Sequence, residues 1–335
     1  MKYEIYQILG GAFFAPQMPR ELILILEAMY GALLILFFLL LLWDIYLFGN
    51  WLLAKVGFPI PKQLPSGLIK SGLCCLALAL GIYGVWQAVK VPNVKEVEMR
   101  ISDLPADLDG FSIVQLSDLH VGPLLKKDWL SSVVAKVNAL NPDLIALTGD
   151  YIDGTVSEIK DEIIPLADLH SKYGIFAVTG NHEYYWNATE WVEALKKLGI
   201  HFLTNEHATL EVNGSKLIIV GIPDLAASRF GLTAPNLTKA LENAPEGLRV
   251  LLAHQPKIFK ESQTQTDIQL SGHTHVGIMF FIQPLIARFN EGFVAGLYSD
   301  NNKNLYVSPG TGLWNGFSCR VGVPAEISRI ILRKA

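Results

Sequence analysis

The chain has 335 residues, 51% of them apolar, and a mean hydropathy of +0.33: room for two domains, and too greasy on average for an ordinary soluble protein. A net charge of −4 and a pI near 6.1 provide no polybasic field, which argues against nucleic acid as a partner. Cys74, Cys75 and Cys319 are spaced for neither a disulfide framework nor a thiolate metal site.

The apolar excess lies before about Val91. Leu22–Trp43 is interrupted only by Glu27, and about 22 residues at 1.5 Å each cross a hydrocarbon core of roughly 30 Å. A second run, Ser71–Val89, is bounded by Lys70 and Lys90. Neither shows the polar face of a soluble core helix, and a cleaved signal would start earlier and stand alone. Residues 1–92 are therefore expected to be a membrane region with spans near 22–43 and 70–89, making the protein a multi-pass cell-membrane protein. Ile45–Phe58, broken by Gly49, Asn50 and Lys55, reads as an interfacial or re-entrant segment, with a third crossing as the alternative. Ile5–Pro16 is too short to span. Three lysines in the intervening loop (Lys55, Lys62, Lys70) face five basic flanking residues (Lys2, Arg20, Lys90, Lys95, Arg100), a balance leaning towards a cytoplasmic catalytic domain.

From residue 93 to residue 335 strand-like and helix-like segments alternate. Phe111–Leu116, Asp143–Leu147 and Ile175–Val178 read as buried strands; Lys127–Leu140, Ile159–His170 (with Pro165 as a possible break) and Asn187–Leu198 read as helices. The spacing of about 31 residues suits βαβ units with parallel strands. The later half reads as more antiparallel. Thr209–Val212 and Lys216–Val220 flank the turn Asn213-Gly214-Ser215, and Arg249–Ala253, Asp267–Leu270, Leu305–Val307 and Glu326–Leu332 follow as strands.

Five of the apolar segments end in polar motifs that supply Asp118, His120, Asp150, Asn181, His254, His273 and His275. Loops just past strand ends are where α/β scaffolds build sites. Strand alternation would turn Asp118 and His120 to one face, and likewise His273 and His275. The seven donors suit two divalent cations. One takes Asp118, His120 and His275, the other Asn181, His254 and His273, with the Asp150 carboxylate bridging. Imidazole and oxygen donors without thiolate favour Mn, Fe or Zn, with Mn preferred. Such a pair activates water for attack on phosphorus and stabilises the charge that develops. His182 is placed to give a proton to the leaving oxygen, and Asp153 to orient it. Gly149, Gly180 and Gly272 precede ligands where close backbone approach to metal or phosphate is useful. His170 and His201 read as surface or capping residues.

Asp118-Leu119-His120, Gly149-Asp150-Tyr151-Ile152-Asp153, Gly180-Asn181-His182-Glu183, His254 and Gly272-His273-Thr274-His275 together resemble the calcineurin-like metallophosphoesterase superfamily over roughly Val94–Arg333. The resemblance implies an α/β fold, a four-layer αββα sandwich with a bimetal centre between sheet edges. Phe293–Tyr298, Leu305–Gly310 and Val323–Ile327 are similar to the YkuE-like branch, which often carries N-terminal membrane segments; some of its relatives cleave the pyrophosphate of a diacylated nucleotide sugar. Where that branch continues Gly-His-Thr-His with Gly-Gly-Gln, this chain has Val276-Gly277-Ile278.

The expected function is hydrolysis of a phosphomonoester, phosphodiester or pyrophosphate bond, in a lipid-linked or nucleotide-linked substrate. The alternatives are a protein phosphatase and a non-catalytic, membrane-anchored metal-binding interaction protein. Val276–Phe289, unusually apolar for a segment following a ligand, is expected either to form a hydrophobic lip admitting an amphiphile or to be a buried strand and loop.

Overall fold

The computed structural model describes residues 10–60 and 65–335, together with Glu4, Tyr6 and Ile8. Lys2, Ile5 and Lys62, used above in reading the N-terminal region, lie outside the described residues.

Two long helices open the chain, α1 (Arg20–Lys55) and α2 (Ser66–Val89), both long and apolar enough to cross a membrane. With 36 residues, α1 extends about 54 Å at 1.5 Å per residue. It runs straight through Gly49 and Asn50, so the separate re-entrant segment expected at Ile45–Phe58 is instead the last turns of α1, to Lys55. A lone glycine costs a helix only about 1 kcal/mol, too little to break one flanked by leucine, phenylalanine and tryptophan.

On α1 the buried residues Ile23, Glu27, Gly31 and Ile35 recur every fourth position and so lie on one face. Ile23 packs into the core that holds Leu125 and Trp129, while Gly31 and Ile35 meet the C-terminal half of α2, whose buried residues are Ala77, Gly81, Gly84, Val85 and Ala88, and the segment carrying Phe317, Cys319 and Val321. Small residues allow this closeness: a Cβ on Gly81 would lie 2.6 Å from the Ala28 carbonyl oxygen. Farther along α1, Phe37, Leu42, Phe48 and Trp51 point outward.

The rest is built on twelve strands: β1 (Asn93–Ile101), β2 (Ser112–Leu116), β3 (Leu144–Thr148), β4 (Ile175–Val178), β5 (His201–Phe202), β6 (Glu206–Val212), β7 (Ser215–Gly221), β8 (Leu248–Leu252), β9 (Ile268–Ser271), β10 (Gly296–Asp300), β11 (Lys303–Val307) and β12 (Glu326–Lys334). They form two six-stranded sheets, ordered β1-β12-β2-β3-β4-β5 and β10-β11-β9-β8-β7-β6. Ile113, Ala146 and Val178 of the first sheet share a core with Ile219, Val250 and Leu270 of the second. The outer face of the first sheet is covered by α3 (Lys127–Ala139) and, after the short α4 (Asn181–Tyr185), by α5 (Ala188–Lys196), through Trp129, Val133, Trp191 and Leu195. Short helical turns around Leu237 and Ile258 cover the second. Helix, sheet, sheet and helix make the four expected layers.

Two expectations need correction. Ile159–His170 is not a helix: one turn ends at Ile159, and a 3-10 turn, Ile164–Asp168, follows with Pro165 at its start. Proline lacks the N–H that a continuing helix requires. The later half is mixed rather than antiparallel. Within the second sheet β7, β8, β9 and β11 pair in parallel, and β6 with β7 and β10 with β11 run antiparallel; β12 joins the first sheet, parallel to β1 and antiparallel to β2.

In each sheet the parallel strands point the same way. The C-terminal ends of β2, β3 and β4 therefore open at one edge, and those of β8 and β9 open at one edge of the other sheet. Gln115 Nε2 joins the edges, donating to Thr148 Oγ1 and to the Ser271 carbonyl, both at 2.9 Å.

Candidate metal centre

Five of the seven expected ligands have a left-handed backbone: Asp118, His120, Asp150, His273 and His275, with φ between 47° and 72°. Asp118, His120, Asp150 and His273 sit in loops and His275 opens a 3-10 turn, so strand alternation is not what aims them. Loop-to-loop hydrogen bonds hold this conformation: Asp118 N–H donates to the Gly149 carbonyl (2.9 Å) and His120 N–H to that of Asp150 (3.1 Å). Aspartate and histidine tolerate positive φ better than branched residues do.

The side chains gather into two triads, in each of which the nitrogen and oxygen donors lie within 4.8 Å of one another, the spacing of a possible metal site. In the first, His275 Nε2 lies 3.3 Å from Asp118 Oδ1 and 3.1 Å from His120 Nε2. In the second, His254 Nε2 is 3.2 Å from both Asp150 Oδ2 and His273 Nδ1. Asp150 Oδ2 is also 3.8 Å from His120 Nε2, so a single carboxylate oxygen faces both groups. Asn181 shares a cleft with His273, and its buried Oδ1 has no hydrogen-bond partner among the described residues. An orphaned buried acceptor is costly unless something binds it, and a cation fits that need.

The electrostatics hold Asp150 as a carboxylate and keep His273 and His275 neutral. Burial raises the Asp150 pKa, but His254, His182 and His120 outweigh that effect and hold it well below the usual carboxylate range. Burial works against charge on His254, yet Asp150 and Asp118 raise its pKa well above normal. Burial and His254 lower His273 to about 3, leaving its lone pair free to bind metal. The Thr148 carbonyl accepts from His254 Nδ1 at 2.8 Å, which turns Nε2 toward Asp150.

His182 and Asp153 form a string beside the triads. Asp153 Oδ1 accepts from His182 Nδ1 at 2.6 Å. Its Oδ2 lies 3.3 Å from His120 Nδ1 and accepts from Asn315 Nδ2 at 3.2 Å. Burial opposes charge on His182, but Asp150 and Asp153 outweigh it and raise the pKa to about 9.

Gly180 and Gly272 have a further role beside the expected one. A Cβ on Gly180 would lie 2.2 Å from Asp150 Oδ1, and one on Gly272 2.2 Å from Asp118 Oδ2. They make room for neighbouring carboxylates. Of Val276–Phe289, Gly277 and Met279 are buried, and Met279 pairs in an isolated bridge with Val321; 3-10 turns lead into α6 (Gln283–Phe289), none of whose residues is buried. His170 is exposed, and so is His201.

Four contributors were not identified from the sequence. The Glu183 carboxylate accepts from the backbone N–H groups of Gly180 (2.6 Å), Tyr151 (2.7 Å) and Asp150 (3.0 Å), clamping two ligand loops together. It lies inside a recognised motif, so the signal was present. Arg320, fully buried, donates to the Pro309 and Gly312 carbonyls beside His275. Asn315 anchors Asp153. The Phe14 ring sits 4.9 Å from that of His182, and its carbonyl accepts from Asn315 Nδ2. Thus part of the segment read only as too short to span covers the centre. No spacing rule marks these last three.

Comparison with known proteins agrees with this geometry. The family described as calcineurin-like phosphoesterase matches residues 111–277. A zebrafish (Danio rerio) transmembrane protein with a metallophosphoesterase domain is 33% identical, over 98% of this chain and 84% of its own length. A metallophosphoesterase of Campylobacter jejuni is 36% identical over 90% and 79%, and the metallophosphoesterase YkuE of Bacillus subtilis 29% over 75% and 90%. Two packed α/β sheets, a histidine–aspartate centre at their edges and relatives of matching length place the chain in the calcineurin-like metallophosphoesterases, a family of hydrolases.

Proposed function

We propose that the protein is a membrane-anchored dimetal phosphoesterase, with residues 1–92 as the membrane region, residues 93–335 as the catalytic domain, and an amphiphilic phosphate ester as substrate. Asp118, His120 and His275 would hold one cation and Asn181, His254 and His273 the other, with Asp150 shared. Mn is the preferred ion over Fe or Zn. When bound, the pair supplies Lewis acidity to the phosphoryl oxygens and to the attacking water. The observation that carries this reading is the placement of Asp150 Oδ2, within 3.8 Å of imidazoles from both triads.

The chain's own residues do the rest. His182, held at Nδ1 by Asp153, presents Nε2 to the centre, 4.0 Å from Asp150 Oδ2. From there it gives its proton to the leaving oxygen as the bond to phosphorus breaks. A protein that only bound metal would need neither His182 nor Asp153 in this arrangement. The left-handed ligand loops and the Glu183 clamp hold the donors before substrate arrives, so little reorganisation is left for the reaction.

The test is turnover of a chromogenic phosphodiester with Mn, Fe or Zn, alongside Asp150→Asn. The wild type should turn over with two metal equivalents bound. The variant should bind at most one and lose more than about 100-fold in rate, beyond the 10–100-fold typical of a group that only orients a ligand. A wild type that binds two equivalents and hydrolyses nothing would point to a binding protein instead.

A further inference from the structure

Two clefts meet at His273. One is polar, about 280 Å³, with Asn181, Arg229, Gln255, Lys257 and Asn290 on its walls. The other is apolar, about 410 Å³. His273, Thr274 and His275 form its polar end, and its walls come from Tyr30 and Leu34 of α1, Ile282, Ile286 of α6, Trp314 and Phe317. The apolar cleft thus runs from candidate metal ligands to a helix able to span a membrane. Aromatic contacts set its walls: Tyr30 packs edge-on to Phe317 at 5.2 Å, and Phe13 lies 6.2 Å from Trp314. Next to it, Phe281 meets Phe38 of α1 at 4.7 Å, so the α6 region and the helix hairpin share one apolar surface. Phe280, Leu285 and Phe289 extend that surface outward, each more than half exposed.

We propose that the apolar cleft is an acyl-chain site. The substrate is then one amphiphile, with its chain between α1 and α6, its phosphate ester over His273 and His275, and its polar remainder beside Arg229 and Lys257. At about 30 Å³ for a group the size of a water molecule, the cavity holds about a dozen such groups, the bulk of one medium-length chain. Apolar walls with convergent polar groups at one end are the general form of a small-molecule site. A span that contributes Tyr30 and Leu34 to the wall lets the chain leave the bilayer without crossing water. This proposal rests on the phosphoesterase reading for the bond that is cleaved, but not for where the chain sits.

Two measurements on the full-length protein in lipid nanodiscs test it. The first uses dodecylphosphonate carrying a diazirine at the chain end, which cannot be hydrolysed. Illumination should attach it to the cavity residues Tyr30, Leu34, Ile278, Ile282 or Ile286, and Ile286→Trp, which fills the cavity, should abolish that labelling at the others. Labels confined to outward residues of α1 such as Leu42, Phe48 and Trp51 would overturn the proposal, since the chain would then simply lie in the bilayer.

The second uses methyl to octyl 4-nitrophenyl phosphodiesters with Mn. Water oxygen bonds to phosphorus, the P–O bond to the aryl group breaks, and 4-nitrophenolate leaves. The octyl-to-methyl ratio of kcat/KM should fall at least about tenfold in Ile286→Trp and Leu34→Trp, a fraction of the roughly fourfold per methylene that full burial would give. Leu285→Trp, on the same helix but outside the cavity, should keep the wild-type ratio, and comparison at equal lipid cancels partitioning. A ratio unchanged in both cavity variants overturns the acyl site and leaves the phosphoesterase standing. Labelling at the cavity without hydrolysis of these diesters, of the corresponding monoester or of an alkyl pyrophosphate overturns the phosphoesterase reading and leaves the acyl site standing.

Discussion

Asp153→Asn tests proton transfer, with metal content as the control that separates it from metal binding. Its Oδ1 accepts from His182 Nδ1, while its Oδ2 faces three donors: Asn315 Nδ2 at 3.2 Å, Asn315 N at 3.4 Å and His120 Nδ1 at 3.3 Å. An amide has only one acceptor oxygen. Whichever way it turns, its NH2 meets either His182 or the Asn315 side, and the negative charge is lost. A hydrogen bond to a charged group contributes about 1.5–3 kcal/mol. With each 1.36 kcal/mol worth tenfold in rate, the expected loss in kcat/KM is roughly 10- to 150-fold. The assay compares a 4-nitrophenyl diester with the corresponding phenyl diester. Nitrophenolate leaves readily without a proton, and phenolate does not, so the loss should be several times larger for the phenyl substrate. Metal content is measured in parallel, because Asp153 also touches His120. Equal losses on both substrates with two metals still bound would refute a role for this pair in protonating the leaving group.

Three further outcomes follow from the geometry. Gly180→Ala places a methyl 2.2 Å from Asp150 Oδ1 and 2.4 Å from its backbone nitrogen, so it should lower stability by about 1–3 kcal/mol and weaken metal binding; an unchanged Tm with full metal content would contradict this. Chelation should lower Tm, since a ligand at 100 times its Kd stabilises by about 2.7 kcal/mol per site; a Tm indifferent to Mn would mean that the triads bind none. Glu27→Ala removes the acceptor of the buried Ser318 N–H (2.9 Å) and of the Tyr6 hydroxyl (2.7 Å). That should cost about 1–3 kcal/mol and speed hydrogen exchange in the segment around Ser318, whereas exchange at the wild-type rate would show that this contact does not dock the hairpin.

Much of the site was legible because its donors come in short motifs at the ends of apolar runs, and parallel strands bring such ends to one edge. The same logic explains what stayed hidden. Asn315 and Phe14 are 301 positions apart, and their hydrogen bond exists only once the N-terminal arm closes over the centre. Arg320 lies in the irregular stretch between β11 and β12, where no period reports burial. α1 runs past the expected span: Gly49 and Asn50 read as a break, although one glycine weighs little against a 36-residue helix.

The left-handed ligands show most clearly what a pattern omits. Alternation along a strand would have grouped His273 with His275. In the fold, His275 joins Asp118 and His120, while His273 joins Asp150 and His254. Positive φ, at about 1–2 kcal/mol per residue, accompanies the turn of His273 and His275 towards different triads, while Asp118 and His120, also left-handed, stay in one. Only a backbone held at both ends can keep five such residues. Glu183 binds the β3 and β4 loops together, and the Asp118 carboxylate accepts from His273 N–H at 3.1 Å, tying the first sheet to the second. Because Asp118 is both a candidate ligand and the tie between sheets, occupancy of the centre and closure of the two sheet edges should be coupled. Metal binding is then also a contribution to the fold, for the same reason that a single carboxylate can report on both.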